Sequence, residues 1–358
     1  MTGIYIHIPF CKSRCLYCDF FSTTQLHRRK EYVRALLQEI ADRHDEMHDV
    51  RTVYFGGGTP GLMDAEDIAA LLAALPYAPD SEVTLEANPG DLTEDYARAL
   101  RQAGINRLSI GIQSFNDRLL QNIGRRHTAQ EARDAVRFAQ QAGFDNLSID
   151  MMYGLSEQSL NDWMDDLQQA TALRVQHLSA YCLTYEAGTP MTRLLEQGRI
   201  TETDEETENA MYDTLCDTLA MNGFEHYEVS NFAQLGYRSK HNSNYWNDTP
   251  YVGLGAGAHS YDGQQRSWNP ADLDRYIGGI TNRTLQRESE TLTDAQHHTE
   301  RIMLGLRTRE GIDAKDVNDK QDIVKRYIQQ GMLQCSAGRI TATQSGLHIL
   351  NKIIEDLI

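Results

Sequence analysis

Three of the chain's six cysteines lie close together near its amino terminus, at Cys11, Cys15 and Cys18. Three neighbouring thiols can bind a metal, pair as a disulfide, or pack as small apolar groups in a core. The sequence has no apolar run of the roughly 18–20 residues that span a bilayer, and no secretory signal before its first strand-like run. The expected location is therefore the cytoplasm, where thiols stay reduced and disulfides are rare.

The cysteine spacing is C-x3-C-x2-C, and three interpretations of it remain open. On a helix the three positions would share one face and form a buried stripe, although Pro9 and the β-like run before it favour a loop. Zinc sites usually combine C-x2–4-C with a distant second pair, whereas Cys182, Cys216 and Cys335 are isolated in the sequence. A loop with three thiolates can instead hold three irons of a [4Fe–4S] cube and leave the fourth iron open. The spacing favours this cluster.

Strand-like and helix-like segments alternate through the first two-thirds of the chain. The strand-like runs are short and rich in Val, Ile, Leu and Tyr, and they often end in Gly, Pro or Asn. Strands are predicted at Ile4–Ile8, Thr52–Gly56, Glu82–Ala87, Arg107–Ile112, Asn146–Met152 and His177–Leu183. Helical periodicity predicts helices at Glu31–Arg43, Ala65–Leu75, Glu94–Ala103, Ala129–Ala142 and Leu160–Ala172.

This alternation predicts an α/β fold in which parallel βαβ units form a partial (β/α)6, TIM-like barrel over residues 1–222. The functional groups of such barrels collect at the carboxyl ends of the strands, and the cysteines follow the first strand at that end. Residues 223–290 lack helical period and predict a loop-rich extension across the barrel. Residues 291–358 predict a small winged-helix-like α+β domain, with two short strands around Ser336–Arg339 followed by an amphipathic helix.

The cysteine motif also has an aromatic residue, Tyr17, directly before its third cysteine. In the form C-x3-C-x-aromatic-C, the motif resembles the signature of the radical S-adenosylmethionine (SAM) superfamily. The resemblance implies that Cys11, Cys15 and Cys18 bind a [4Fe–4S] cluster whose open iron is chelated by the amino and carboxylate groups of SAM. It also implies that one electron from the reduced cluster cleaves SAM into methionine and a 5′-deoxyadenosyl radical.

Further motifs follow the later predicted strands, among them "FGGGTP", "EANP", "GIQSF", "GRRHT" and "DMMYGL". Each polar residue in them, taken alone, fits a satisfied buried group or a tight turn. Together they resemble, over most of the chain, the oxygen-independent coproporphyrinogen III dehydrogenase (oxidase) family. Residue by residue, the resemblance implies SAM contacts at Tyr5, Gly57, Gly58, Glu86, Gln113, Arg125 and Asp150, with Thr184 as a further candidate.

Two differences separate the chain from the dehydrogenases of that family, which carry C-x3-C-x2-C-x-C and a longer N-terminal segment. Here Cys18 is followed by Asp19 and Phe20. "YEVSNFA" and "HNSNYW" resemble instead the HemW-type heme chaperones, in which an H-N-x-x-Y-W motif is associated with heme binding. The resemblance implies heme contacts at His241, Tyr245 and Trp246, with an imidazole for the iron and aromatic faces for the porphyrin. From the residues alone, a hydrogen-bonded core histidine fits as well.

These patterns predict a heme chaperone that binds a [4Fe–4S] cluster, SAM and heme, and that delivers heme to an acceptor protein. A reductant such as a flavodoxin or ferredoxin is the expected electron donor. A coproporphyrinogen III dehydrogenase or a related porphyrin-modifying radical enzyme is the first alternative, and a zinc-stabilised binding module is the second. The net charge of 34 − 51 = −17 argues against nucleic acid as a partner. No transmembrane segment is predicted, and peripheral membrane contact stays open.

Overall fold

Six parallel strands form the centre of the computed structural model, which describes residues 2–358. The strands are β1 (Thr2–Ile8), β2 (Val50–Gly57), β3 (Tyr77–Ala87), β4 (Arg107–Gln113), β5 (Leu147–Tyr153) and β6 (His177–Cys182). The helices between them are α1 (Arg29–Asp42), α2 (Ala65–Ala73), α3 (Glu94–Ala103), α4 (Asp117–Asn122), α5 (Ala129–Gln141) and α6 (Leu160–Ala172). This arrangement confirms the predicted α/β fold with a partial barrel. Residue 1, where the predicted barrel segment begins, lies outside the described residues.

The alternation of side chains along β1 shows why these segments form a barrel. Ile4, Ile6 and Ile8 are fully buried in the core between the sheet and its helices. Tyr5 and His7 point to the opposite face, which is the interior of the barrel. A strand with both faces covered is apolar along most of its length, which is why β1 appeared as an apolar run in the sequence. The observed strand and helix ends lie within two residues of the predicted ones, except that β3 begins five residues earlier, at Tyr77.

The segment predicted to be loop-rich is largely regular structure. After α7 (Pro190–Glu196) and α8 (Glu205–Met221) it contains β7 (Glu225–Glu228), β8 (Asn231–Ala233), α9 (Lys240–Trp246), β9 (Tyr251–Leu254), β10 (His259–Tyr261), β11 (Gln265–Trp268), α10 (Leu273–Thr281) and β12 (Glu288–Thr291). These strands extend the six into one sheet of order β12-β11-β10-β9-β1-β2-β3-β4-β5-β6-β8-β7. The prediction of irregular chain was wrong because strands of three or four residues are too short to show a period of two.

Helix α9, which carries the "HNSNYW" motif, closes the amino-terminal end of the barrel. Ser239 caps it by accepting the backbone N–H of Asn242 at 3.3 Å. The carboxylate of Glu82, near the start of the core of β3, accepts the backbone N–H groups of Lys240 and His241, both at 3.1 Å. A carboxylate at a helix amino terminus satisfies free N–H groups and complements the helix dipole. Glu82 therefore fixes α9 against the barrel at the end opposite the cysteines.

The carboxyl-terminal residues form a smaller unit with its own core. Its elements are α11 (Asp294–Gly305), β13 (Ile312–Asp313), α12 (Gln321–Gln329), β14 (Leu333–Ser336), β15 (Arg339–Ala342), α13 (Gln344–Leu347) and α14 (Leu350–Leu357). Its three strands pair in the order β13-β15-β14. The two strands expected around Ser336–Arg339 are present, and the two-residue β13 was not predicted. Buried residues such as Ile302, Tyr327 and Ile353 form an apolar cluster separate from the main core.

Five short 3-10 helices complete the described structure, at Leu26–Arg28, His44–Glu46, Pro60–Leu62, Pro89–Asp91 and Ala314–Lys320. Between residues 2 and 358, no helix combines the length and the apolar character needed to cross a membrane.

The carboxylate that holds α9 gives a first prediction. Replacing Glu82 with Ala leaves two backbone N–H groups near the barrel interior without their acceptor. Unsatisfied buried donors cost about 1–3 kcal/mol each, so we expect the free energy of unfolding of Glu82→Ala to fall by about 2–6 kcal/mol. Urea denaturation measures this change. Glu186→Ala, which removes an exposed carboxylate, is the matched control, and an equal loss in both variants would contradict the assigned role.

Candidate functional site

The three predicted cluster cysteines lie in one loop after β1. Cys11 is buried, Cys15 and Cys18 are half-buried, and none of them is in a disulfide. Burial raises the pKa of the Cys11 and Cys18 thiols, and the neighbouring cysteines add to the rise in both. The loop therefore places three thiols close enough to influence one another, in surroundings that disfavour free thiolate charge. Iron would offset that cost, because thiols give up their protons when they bind a metal.

A chain of polar side chains braces two of the three sulfurs. Arg125 donates to the Cys15 sulfur at 3.5 Å and to Asn88 Oδ1 at 2.7 Å. Asn88 donates to Thr59 Oγ1 at 2.9 Å, and Thr59 donates to the Cys11 sulfur at 3.6 Å. Asn88 and Thr59 were not singled out from the sequence, although the "EANP" and "FGGGTP" motifs contain them. Hydrogen bonds to the thiolate sulfurs are one means by which a protein tunes the potential of an iron–sulfur cluster.

Glu86 lies at the carboxyl end of β3 and carries the most perturbed carboxyl group near the cysteines. Its carboxylate accepts from Tyr54 Oη at 2.8 Å and from the backbone N–H of Gly57 at 3.1 Å. Burial raises the pKa of Glu86 to about 7, with a further contribution from the charge of Asp150. No cation within residues 2–358 forms an ion pair with it. The site thus presents a buried carboxylate suited to a bound cation.

The glycines of "FGGGTP" let the backbone of β2 approach this carboxylate. Gly57 has φ of +110°, and a side chain there would collide with the His7 ring. Its N–H is bound to Glu86, while the Gly58 N–H donates to the Ile8 carbonyl at 2.8 Å. Both predicted glycine N–H groups are therefore already engaged. Since an ammonium is a donor, the carbonyl oxygens of this turn are the groups that suit it.

The remaining residues predicted to bind SAM lie at different depths in and around the barrel interior. Gln113, at the end of β4, adopts φ of +70° beside a register shift, and such strained backbone occurs preferentially at functional sites. Asp150 accepts from Ser109 at 3.1 Å, and burial raises its pKa. Tyr5 lies in the interior, where its hydroxyl is 3.2 Å from His7 Nδ1. Thr184 is exposed beyond β6 and has no side-chain partner among the described residues.

The predicted heme ligand His241 lies at the other end of the barrel and has no free ring nitrogen. Its Nδ1 is 2.8 Å from Thr52 Oγ1, and its Nε2 is 3.0 Å from Tyr245 Oη. Burial, together with the charge of Arg107, lowers its pKa to about 3. Its ring stacks on Tyr54 at 5.0 Å between centroids. In this arrangement His241 is a neutral, hydrogen-bonded core residue, so its role as an iron ligand stays a prediction.

Comparison with known protein families places this geometry in context. The family model of the radical SAM superfamily matches residues 5–170, and the model of the HemN C-terminal domain matches residues 292–349. A curated "Heme chaperone HemW" from Lactococcus lactis is 33% identical over 371 residues, covering 100% of this chain and 97% of the relative. The chain belongs to the HemW family of radical SAM proteins. A "Heme chaperone HemW" from Bacillus subtilis is 34% identical, covering 99% of this chain and 98% of that relative.

A solved structure supports the same fold for this HemW-family chain. The coproporphyrinogen III oxidase HemN from Escherichia coli matches with a TM-score of 0.83, covering 99% of this chain and 90% of that one. At 21% sequence identity this match shows the fold alone. The match covers both the barrel and the small carboxyl-terminal domain that were predicted from the sequence.

The thiol geometry also bears on the zinc alternative. Ligands of one zinc ion lie about 2.3 Å from the metal, which brings tetrahedral sulfurs to within about 4 Å of one another. Within residues 2–358, no group of three His, Cys, Asp or Glu side chains is arranged to hold a single metal ion. This arrangement of the described residues therefore gives the zinc alternative no support.

The pKa of Glu86 gives a second prediction. Because its folded-state pKa of about 7 exceeds the ordinary 4.5, the folded protein binds more protons than the unfolded chain between these values. Stability from this group is therefore lost as pH rises through that range, by up to about 3 kcal/mol at 1.36 kcal/mol per pKa unit. Without a bound cluster, the free energy of unfolding of Glu86→Gln should rise relative to that of the wild-type protein by most of this amount between pH 5 and pH 8. Urea denaturation at each pH measures this difference. Glu186→Gln, at an exposed position, is the control. A difference from the wild-type protein that stays constant with pH for both variants would contradict the assignment.

Proposed function

We propose that this protein is a heme chaperone that binds a [4Fe–4S] cluster, SAM and heme, and that passes heme to an acceptor protein. The observation that carries the cofactor part is that the three-cysteine loop follows the carboxyl end of β1 while Glu86, a buried carboxyl without an ion-pair partner among residues 2–358, lies at the carboxyl end of the parallel strand β3. The chaperone part rests on relatives named heme chaperones that match the chain over nearly its whole length.

In this proposal the residues at the mouth divide the work of binding. Cys11, Cys15 and Cys18 supply the three thiolates, and Arg125 with Thr59 donates hydrogen bonds to two of the sulfurs. A [4Fe–4S] cluster with SAM on its open iron supplies one-electron chemistry when bound. Glu86 and the carbonyls of the glycine turn are placed to hold the ammonium of SAM. Binding of that cation would lower the pKa of Glu86 and release its proton.

The region around Phe20 separates this proposal from the dehydrogenase alternative. Phe20 stands where the dehydrogenase family resembled by this chain has its fourth cysteine, and its side chain is 66% exposed. An exposed phenylalanine at that position cannot act as a thiolate ligand. The following experiment distinguishes the heme chaperone from the dehydrogenase.

The experiment compares heme handling with porphyrinogen chemistry on the same reconstituted protein. Hemin titration under anaerobic conditions should give saturable binding, followed by the Soret band. Mixing the heme-loaded protein with apomyoglobin, as a generic acceptor, should move the heme to myoglobin. Coproporphyrinogen III with SAM and dithionite should give no protoporphyrinogen above the level of a cluster-free control. Robust formation of protoporphyrinogen, without saturable heme binding, would assign the enzyme instead.

A separate prediction concerns the cluster. In Cys15→Ala only two thiolates remain, and the Arg125 donor loses its sulfur acceptor. We expect anaerobic reconstitution of this variant to give far less than four irons and four sulfides per chain, with little of the broad visible absorbance of the wild-type protein. Cys335→Ala, which removes an exposed cysteine in β14, is the matched control and should reconstitute fully. Full iron and sulfide content in Cys15→Ala would exclude it as a ligand.

A further inference from the structure

A small cavity lies beside the cysteine loop and reaches one of its sulfur-bearing residues. Its volume is about 80 Å³, and Cys15, Arg125 and Arg126 are among the residues that line it. Cys15 is half-buried, and Arg126 is exposed. The cavity therefore leads from a predicted cluster ligand to the protein surface, and a second protein bound over it would stand close to the cluster.

Two exposed cations beside this cavity share one buried carboxylate. Lys12 Nζ is 2.6 Å from Asp91 Oδ1, and Arg126 Nη2 is 2.9 Å from Asp91 Oδ2. The side chains of Lys12 and Arg126 are 45% and 40% exposed, whereas that of Asp91 is 2% exposed. A partner arriving from solvent therefore meets the two cations, and the carboxylate beneath them fixes their positions.

A third cation, Arg14, lies in the same loop as Lys12. It is exposed, and its guanidinium donates to the Ser22 carbonyl. Burial mainly raises the pKa of the Cys11 thiol, and the charge of Arg14 opposes this rise, so Arg14 lies near that sulfur. We call Lys12, Arg14 and Arg126 the cationic rim of the cysteine loop.

Three carboxylates offset part of the charge of the cationic rim. Asp91 is buried beneath it, and Asp19 is exposed in the cysteine loop. Glu131 lines the cavity, but its carboxylate accepts the backbone N–H of Thr128 at 2.7 Å in the cap of its own helix. The exposed surface at the cavity is thus more positive than negative, in a chain whose net charge is −17.

Backbone hydrogen bonds hold the cysteine loop in place beneath this surface. The Leu16 N–H donates to the Ile123 carbonyl at 3.1 Å, and the Met191 N–H donates to the Leu16 carbonyl at 2.9 Å. These bonds fasten the loop to the end of α4 and the start of α7. A surface that is already ordered loses little conformational entropy when a partner binds it.

We propose that the cationic rim docks an acidic electron-carrier protein, which delivers the electron that reduces the cluster. The inference rests on the proposed function and locates the entry of its electron. With a flavin carrier, the anionic hydroquinone gives one electron to the oxidised cluster and becomes the neutral semiquinone, and no proton is transferred.

The size and charge of the cationic rim suit a partner of this kind. Electron-transfer complexes are small and bury less than about 1,200 Å² of surface, so a few well-placed charges are enough to orient them. Charges more than about 8 Å apart are largely screened at physiological salt. The local cations, rather than the net charge of −17, therefore decide which face an acidic carrier meets.

The test is anaerobic stopped-flow reduction of the reconstituted full-length protein by a flavodoxin hydroquinone, followed by the loss of visible cluster absorbance. Lys12→Gln with Arg126→Gln, the rim variant, removes two charges and keeps two amides that can donate to Asp91. We expect its second-order rate constant, per reconstituted cluster, to fall by about tenfold or more at low salt, because complementary charge raises association rates by about 10–10³.

The matched control is Lys352→Gln with Arg326→Gln, which also removes a lysine and an arginine that share one carboxylate, Asp356. This pair lies in the carboxyl-terminal unit, and we expect the control to be reduced at the wild-type rate. Photoreduced 5-deazariboflavin, which is uncharged and needs no docking surface, should reduce all three proteins equally fast. Slower reduction of the rim variant by this small molecule would show an effect on the cluster itself and would overturn the inference.

The outcomes separate this inference from the proposed function. If flavodoxin reduces the rim variant as fast as the wild-type protein, or reduces neither, the docking inference is overturned while the chaperone function stands. A wild-type rate constant that does not fall between about 0.05 and 0.5 M salt would overturn it without any variant. If the wild-type protein reconstitutes no cluster, the proposed function fails, and this inference fails with it.

Discussion

The candidate site depends on one buried carboxylate, Glu86, which has no ion-pair partner within 4.0 Å among residues 2–358 and feels the charge of Arg107 only weakly. Glu86 is held by the Tyr54 hydroxyl and the Gly57 N–H, and burial keeps its pKa near 7. Hydrogen bonds of this kind lower the cost of a buried charge but do not remove it. A cationic ligand beside the cysteine loop would remove most of that cost, and in the proposed function the ammonium of SAM is that ligand.

Tyr54 contacts side chains toward both ends of the barrel. Its hydroxyl bonds Glu86 on the cysteine side, and its ring stacks on His241 on the side of α9. His241 continues the contact to Tyr245 in α9. In the proposed function, heme contacts at the α9 motif would lie at the end of the barrel opposite the cysteines, as suits a cargo, whereas a porphyrinogen substrate would need direct access to the cysteine mouth.

The sequence predicted well those features that repeat. The six barrel strands appeared as short apolar runs, five of their helices carried helical periodicity, and the cysteine loop had a distinctive spacing. Prediction failed for features that depend on three-dimensional contacts. The short strands of the sheet extension show no period in the sequence. The burial of His241 depends on Glu82, which holds α9 although it lies 159 residues away in the sequence. Asn88 and Thr59 belong to recognisable motifs, but only the folded chain shows that they link Arg125 to Cys11.

The seam between the barrel and the carboxyl-terminal unit is held by both side-chain and backbone contacts. The main core and the carboxyl-terminal core are separate clusters, and Leu347 is partly buried against both. Side-chain pairs across the seam include Arg238 with Glu310, Arg309 with Glu225 and His348 with Asp213, all at least partly exposed. Exposed ion pairs contribute little, about 0–1 kcal/mol each. The backbone hydrogen bonds from the Val229 N–H to the Arg307 carbonyl, at 2.9 Å, and from the Arg309 N–H to the Tyr227 carbonyl, at 3.0 Å, therefore hold the carboxyl-terminal unit to the barrel more firmly than these ion pairs do.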